Sequence, residues 1–254
     1  MSRNVIVAHR TDVGLEREEN QDACGYWHDA ASDCYLTVVA DGMGGAACGS
    51  IASQLATQIV HERLFNEAAR QMPMIERLDY ALTEANRVIY QRAASDGRCH
   101  GMGSTCVVVA VTGEQAYLAH VGDSRIYLIR DGRIARLTRD HSRVQRMLDD
   151  GLISEEEAIG HPESNVIERS LGPRSSVTPE VRPEPIELCE DDTFVLCTDG
   201  LTGLVRDDEI FELVNHTPIK PACEALIEMA NQRGGHDNIT VALVRIGADV
   251  TLGF

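Results

Sequence analysis

No stretch of this chain stays apolar for the roughly 18 residues that a bilayer-spanning helix needs. The opening residues, Met1-Ser2-Arg3-Asn4, lead straight into a short strand-like Val5-Ile6-Val7, too brief for the apolar core of a secretory signal. Cys-x-x-Cys is absent. The eight cysteines are scattered, and several (Cys106, Cys197) lie inside apolar runs where a thiol behaves as a small hydrophobe, so neither a zinc nor a disulfide framework is expected. That usage fits a reducing, cytoplasmic compartment. Positive charge is scarce: the net charge of −17 argues against nucleic acid or an anionic membrane as partner. Repeats, low-complexity segments and linkers are missing. No Gly-x-x-x-x-Gly-Lys loop occurs, so a nucleotide-phosphate cradle of that kind is not encoded.

What is present is ordinary globular composition, 43% hydrophobic and 25% charged, in a chain of 254 residues, long enough to bury a sizeable core. Apolar patterning predicts strands at 4–9, 23–27, 34–40, 104–111, 115–121, 125–130, 133–138, 193–198 and 239–246. Two long helices fall between the strands at 34–40 and 104–111. The first, at 50–68, carries Ile51, Leu55, Ile59, Val60 and Leu64 on one stripe; the second, at 74–95, carries Ile75, Leu78, Leu82, Ala85 and Ile89. Two more are expected at 207–216 and 220–233, with Pro218 and Pro221 marking the start of the second. Hairpin-joined strands with helices inserted in pairs imply antiparallel sheets covered by helical layers, an α+β fold. The stretch 141–184, with short helical pieces, scattered glycines and four prolines, reads as an inserted flap within a single domain spanning 1–254.

The chain has five Asp-Gly pairs. Asp131-Gly132 is flanked by alternating apolar residues and reads as a hairpin turn; Asp96 and Asp150 follow helices, where glycine is a common stop. Asp41-Gly42 and Asp199-Gly200 differ, because an apolar run delivers each carboxylate to a strand end and no returning strand follows. Asp123 also follows a strand end, while Asp22 and Asp237 stand just before strand starts. In antiparallel sheets one strand's end and its neighbour's start share an edge, so all five carboxylates can gather at one rim. At about 4 Å and an effective dielectric near 20, each like-charged pair costs on the order of 4 kcal/mol. Divalent cations relieve that repulsion, and all-oxygen ligation favours Mg²⁺ or Mn²⁺ over zinc. The Gly42 carbonyl, unshielded by a side chain, is a further oxygen within a metal's reach.

The order of these motifs is recognisable. Thr11-Asp12-Val13-Gly14 with Arg17, Asn20, Gln21 and Asp22, then Asp41-Gly42-Met43-Gly44-Gly45, resembles the metal-dependent protein phosphatase (protein phosphatase 2C) family. So do Gly103-Ser104-Thr105, Val121-Gly122-Asp123-Ser124-Arg125, Thr198-Asp199-Gly200-Leu201 and Asp237-Asn238-Ile239-Thr240. The likeness runs from about residue 5 to 246, and the flap after Asp140-His141-Ser142 is similar to that of the stand-alone bacterial branch.

The resemblance implies a four-layer α-β-β-α sandwich of two antiparallel sheets flanked by helix pairs, with metals in a cleft at one end. It implies Mg²⁺/Mn²⁺-dependent hydrolysis of phosphoserine and phosphothreonine in proteins, opposing a bacterial Ser/Thr kinase. Asp41 would bridge two metals, the Gly42 carbonyl would bind the first, and Asp199 and Asp237 would complete the second. Asp22 and Gln21 would act through water, Asp123 and Asp199 would hold a third, weaker ion, and Arg17 would grip the substrate phosphate. The alternatives are a catalytically inactive phosphopeptide-binding scaffold on the same fold and a two-metal phosphatase for a small phosphoester. A monomer with phosphoprotein substrates and a cognate kinase is expected.

Phosphate-monoester hydrolysis is so slow that an enzyme can need accelerations near ~10²¹. Two metals supply an activated water and stabilise charge on the phosphoryl oxygens. A planar, always-charged Arg17 suits bidentate phosphate binding better than a lysine. The leaving group's proton is less settled. Family members carry a histidine directly after the first Asp-Gly or three residues later, and this chain has Met43 and Ala46 there. A metal-held water is the expected donor, with His141 and His161 as the alternatives. His120 is read as a packed strand residue, and Ser124 and Arg125 as holding a strand end by hydrogen bonds.

Overall fold

The computed structural model describes residues 3–249. The strands, in chain order, are β1 (Arg3–Asp12), β2 (Asp22–Asp29), β3 (Cys34–Met43), β4 (Gly103–Ser104), β5 (Cys106–Thr112), β6 (Gln115–Val121), β7 (Arg125–Arg130), β8 (Arg133–Arg136), β9 (Glu180–Val181), β10 (Ile186–Glu187), β11 (Thr193–Cys197) and β12 (Ile239–Asp249). The helices are α1 (Gly45–Leu64), α2 (Met74–Ser95), α3 (Arg143–Asp149), α4 (Glu155–Ala158), α5 (Asp199–Thr202), α6 (Asp207–His216) and α7 (Ile219–Gln232).

The pairings are antiparallel and form two sheets. One runs β1-β12-β11-β7-β8; the other runs β10-β6-β5-β3-β2, with β4 beside β3 and β9 beside β6. The period-2 alternation of β3 shows how the layers assemble. Leu36, Val38 and Ala40 face the core shared with α1 and α2, whereas Val39 faces the other sheet. Val195, Cys197, Val241 and Leu243 meet α6 and α7 in the same manner, and Phe194, Leu196, Ala242 and Val244 fill the space between the sheets. The result is a four-layer α-β-β-α sandwich, as the family resemblance implied. Asp131-Gly132 is the tight turn between β7 and β8.

Three details depart from the sequence reading. First, α1 begins at Gly45 rather than near residue 50, so its glycine-rich first turn is helical against its propensity. Second, its buried stripe is built from Cys48, Ala52, Ala56, Ile59, Val60 and Leu64, with Ile51 and Leu55 only partly covered. Small residues let this helix lie close to β3. Third, the expectation that no cysteines pair is overturned: Cys48 and Cys99 form a disulfide, with Cα atoms 5.4 Å apart. Their separation of 51 residues carried no local signal. The antiparallel α1–α2 hairpin brings the first turn of α1 beside the loop that follows α2. Among the described residues the other cysteines are unpaired, and Cys106 and Cys197 are buried as expected.

The stretch 141–184 holds α3, α4 and β9 joined by turns. It is tied to the sheets at two places: Ser104 pairs with Leu171, and β9 pairs with β6. None of the described helices is long and apolar enough to cross a membrane.

Candidate active site

The five aspartates converge at one edge of the sandwich. Asp22 at the start of β2 stands in register with Asp41 near the end of β3. Asp199 opens α5 directly after β11, Asp237 precedes β12, and Asp123 follows β6. Asp41 lies at their centre: its carboxyl is pushed well above the usual carboxylate range, first by burial and then by the charges of Asp22, Asp199, Asp123 and Asp237. Asp199 is raised by burial and by Asp237, and lies within hydrogen-bond reach of Asp41. Burial drives Asp22 up to about 7 and Asp123 to about 8, with Asp199 the next repelling charge on Asp123.

Oδ1 of Asp22, Asp123 and Asp199 is in each case buried without a hydrogen-bond partner. Buried polar atoms are nearly always satisfied, so three orphans in one carboxylate cluster mark a place built for cations. The donors are all oxygens, which fits Mg²⁺ or Mn²⁺ and not zinc.

The surrounding residues fix this geometry. Thr105 clamps the Asp41 peptide from both sides: its Oγ1 accepts the Asp41 N–H at 2.9 Å, and its own N–H donates to the Asp41 carbonyl at 2.8 Å. Asp22 Oδ2 accepts the hydroxyls of Thr198 (2.9 Å) and Thr240 (2.7 Å), which leaves only Oδ1 to face the centre. Asn238 is buried and ties three chain segments together, accepting from Gln21 N and donating to the carbonyls of Val13 and Glu19. Sequence reasoning assigned no task to Thr105, Thr198, Thr240 or Asn238. A local signal existed only for Thr198 and Asn238, each adjacent to a key aspartate; Thr105 stands far from any of them in sequence.

Gly42 is buried, and its carbonyl lies against Gly49. A Cβ at Gly49 would fall 2.7 Å from that carbonyl oxygen and 2.2 Å from Gln21 Oε1. Access to the carbonyl therefore depends on Gly49 as well as on Gly42, and Gln21 sits beside it. Arg17, 55% exposed along its side chain, donates to Asp237 Oδ2 at 2.7 Å. It thus already reaches the carboxylate centre. Ser124 and Arg125 do hold a strand end: Ser124 Oγ bonds Thr105 Oγ1 at 2.7 Å, and Arg125 makes a two-pronged contact with Asp140. The side chain of Ala46 lies outside the described residues.

His120, His141 and Glu180 bring ligand-type atoms within 4.8 Å of one another. The His141 ring, however, is already engaged at both nitrogens, by the Gly122 N–H and by Glu180. His141 Nδ1 accepts the Gly122 N–H at 3.1 Å, so in the neutral ring Nε2 carries the proton. The Arg169 guanidinium, 3.1 Å from that Nε2, adds a positive charge beside the cluster, which opposes a bound cation. The oxygen-lined aspartate cluster, with its unpartnered carboxylate oxygens, has the donor set that suits a hard cation. His161 is partly exposed and its Nδ1 accepts the Glu163 N–H.

Comparison with known proteins identifies the family. The family model described as protein phosphatase 2C matches residues 16–244. Protein phosphatase PhpP of Streptococcus pneumoniae is 36% identical over 241 residues, covering 94% of this chain and 96% of that protein. The crystal structure of the Mycobacterium tuberculosis serine/threonine phosphatase PstP/Ppp superposes with a TM-score of 0.86 at 33% identity, covering 96% of this chain and 99% of that one. The catalytic domain of a serine threonine protein phosphatase PstP, solved with two manganese ions, gives a TM-score of 0.82 at 31% identity, over 96% of this chain and 99% of that one. The chain belongs to the protein phosphatase 2C family and is a metal-dependent protein serine/threonine phosphatase.

Proposed function

We propose that Asp41, Asp199 and Asp237, with the Gly42 carbonyl, hold two Mg²⁺ or Mn²⁺ ions, and that Asp123 and Asp199 hold a third, weaker one. The observation that carries this reading is the position of Asp41 among four other carboxylates, three of whose oxygens, on Asp22, Asp123 and Asp199, are buried and unpartnered. Bound there, the cations supply the Lewis acidity that ionises water near neutral pH and offsets charge on the phosphoryl oxygens.

The chain's own residues do the rest. Asp41 presents its carboxylate at the centre because Thr105 holds its peptide. Asp22, anchored by two threonines, directs its remaining oxygen toward the centre, and with Gln21 orients water there. Arg17 provides a planar fork that binds two phosphate oxygens and sets the phosphorus in line with the attacking oxygen. No cysteine or serine nucleophile is needed. The inactive-scaffold alternative requires loss of a central aspartate, and Asp41, Asp199 and Asp237 are all present.

We further read 1–254 as one catalytic domain with 141–184 as its flap, acting as a cytoplasmic monomer on phosphoproteins made by a cognate Ser/Thr kinase. The net charge of −17 and the lack of a membrane-crossing helix among the described residues support that setting. The purified protein should hydrolyse p-nitrophenyl phosphate and a phosphothreonine peptide with Mn²⁺ or Mg²⁺, and stop with EDTA. Asp199→Asn should abolish turnover while circular dichroism stays unchanged. Activity that survives EDTA, or an active Asp199→Asn variant, would overturn the metal assignment.

A further inference from the structure

His141 grips a single residue, Gly122, from two sides. Its backbone N–H donates to the Gly122 carbonyl at 2.9 Å, and its ring Nδ1 accepts the Gly122 N–H at 3.1 Å. Gly122 has φ +107, and a Cβ there would strike the Thr105 side chain at 2.6 Å. The turn that delivers Asp123 is therefore pressed between Thr105, which clamps Asp41, and His141.

The same histidine is tied to the 141–184 stretch at two further points. Its carbonyl accepts the Glu168 N–H at 2.8 Å, and Nε2 lies 3.2 Å from Glu180 Oε2. Glu180 in turn stands opposite His120 in the β6–β9 pairing, and the His120 ring stacks on His141 with centroids 4.6 Å apart. His120 Nε2 lies 2.9 Å from the Arg139 carbonyl, to which it donates.

The tautomer follows from these contacts. Because Nδ1 accepts from the Gly122 N–H, which can only donate, the neutral ring carries its proton on Nε2, toward Glu180. The Arg169 guanidinium 3.1 Å from Nε2 then stands beside that proton as a neighbouring charge, not as a hydrogen-bond donor to it. Burial and the adjacent His120 hold the His141 pKa down to about 4, which keeps the ring neutral and the Nδ1 lone pair available. The side chain is only 7% exposed, so water does not compete for these bonds.

We propose that His141 is a positioning residue that locks the Gly122–Asp123 turn through Nδ1, so that the attachment of the flap at Glu168 and Glu180 sets how tightly the third cation is held. This rests on Asp123 being a ligand of that cation. Outer groups that orient a metal ligand typically carry 10–100-fold in metal affinity, and the two-bond grip on Gly122 is of that kind.

The test separates the two nitrogens. His141→Gln keeps a donor near the Nε2 position but loses the acceptor for Gly122, whereas His141→Asn places an amide oxygen near Nδ1 and keeps it. Mn²⁺ binding to the full chain is counted by electron paramagnetic resonance titration, alongside the Mn²⁺ concentration for half-maximal peptide dephosphorylation. His141→Gln should weaken the loosest site about tenfold and leave the tighter ones unchanged, while His141→Asn should stay within about threefold of wild type. In an Asp123→Asn background, His141→Gln should have no further effect.

Unchanged affinity of the loosest site in His141→Gln, equal weakening of all sites, or an undiminished effect in the Asp123→Asn background would overturn the proposal. If Asp123→Asn itself binds as many ions as wild type, the ligand assignment fails instead. Should His141→Gln not fold, Glu180→Ala at the exposed end of the network is expected to weaken the same site in the same direction. Imidazole ¹⁵N spectra of the metal-free wild type must then show an unprotonated Nδ1; a protonated Nδ1 would refute the grip.

Discussion

Removing the charge of Asp22 should make the metal-free protein more stable. Asp22 is buried, with Oδ2 held by Thr198 and Thr240 and Oδ1 unpartnered. Burial, helped by repulsion from Asp199 and Asp237 and opposed by the two threonine hydrogen bonds, lifts its pKa from 3.8 to about 7. An acid whose pKa rises on folding binds its proton more tightly in the folded state. Its stabilising contribution is therefore fully present below about pH 4 and is lost as pH climbs through 7.

At 1.36 kcal/mol per pKa unit, the interval between 3.8 and about 7 is worth roughly 4 kcal/mol. Asp22→Asn keeps a carbonyl oxygen for the two hydroxyls. It also puts an N–H₂ where the orphaned oxygen was, among carboxylates that accept hydrogen bonds. In EDTA at pH 8 the variant should be about 2–4 kcal/mol more stable than wild type, and at pH 4 the two should nearly coincide. Urea unfolding followed by circular dichroism at pH 4, 6 and 8 measures this difference directly. Added Mn²⁺ should then stabilise wild type more than the variant, because the cations offset a charge the variant lacks. No gain at pH 8, or the same gain at pH 4 and pH 8, would show that the centre does not hold an unrelieved charge.

Gly49→Ala should raise the Mn²⁺ requirement about tenfold, because the new Cβ displaces Gln21 and crowds the Gly42 carbonyl, while helix propensity keeps stability within about 1 kcal/mol. A metal titration with a parallel thermal melt checks both halves. Arg17→Lys should lower kcat/KM for a phosphopeptide about tenfold by losing the two-pronged phosphate contact, and steady-state kinetics at saturating Mn²⁺ would show an unaffected enzyme if Arg17 serves only to pair with Asp237. Cys48→Ser should cost about 4 kcal/mol under oxidising conditions by opening a loop that joins residues 51 apart, and close to nothing in dithiothreitol, as read by urea unfolding with and without reductant.

Much of this protein could be read from local pattern. The alternation of Leu36, Val38 and Ala40 against Val39 determined which face of β3 meets helices and which meets the other sheet, since side chains on a strand alternate faces. The 3.6-residue period placed α2 within the bounds observed. An aspartate between an apolar run and a glycine marked Asp41 and Asp199 as strand-end carboxylates, and antiparallel pairing implied that they share a rim. These features depend on neighbours a few residues apart, which is the range over which sequence carries direct physical information.

Other features depended on atoms that only the closed fold brings together. Cys48 meets Cys99 only because α1 and α2 lie side by side. The start of α1 keeps a glycine at position 49 because a side chain there would meet Gln21 and the Gly42 carbonyl. Thr198 and Thr240, ordinary strand-end threonines in the sequence, become the anchors of Asp22 across 176 and 218 residues. His141, which sequence alone offered as a proton donor, is instead enclosed against Gly122, His120 and Glu180. The identities of the carboxylates that converge at this rim were thus written in the chain. Their precise presentation was not, because hydrogen bonds between distant segments acquire a direction only when the sheets close.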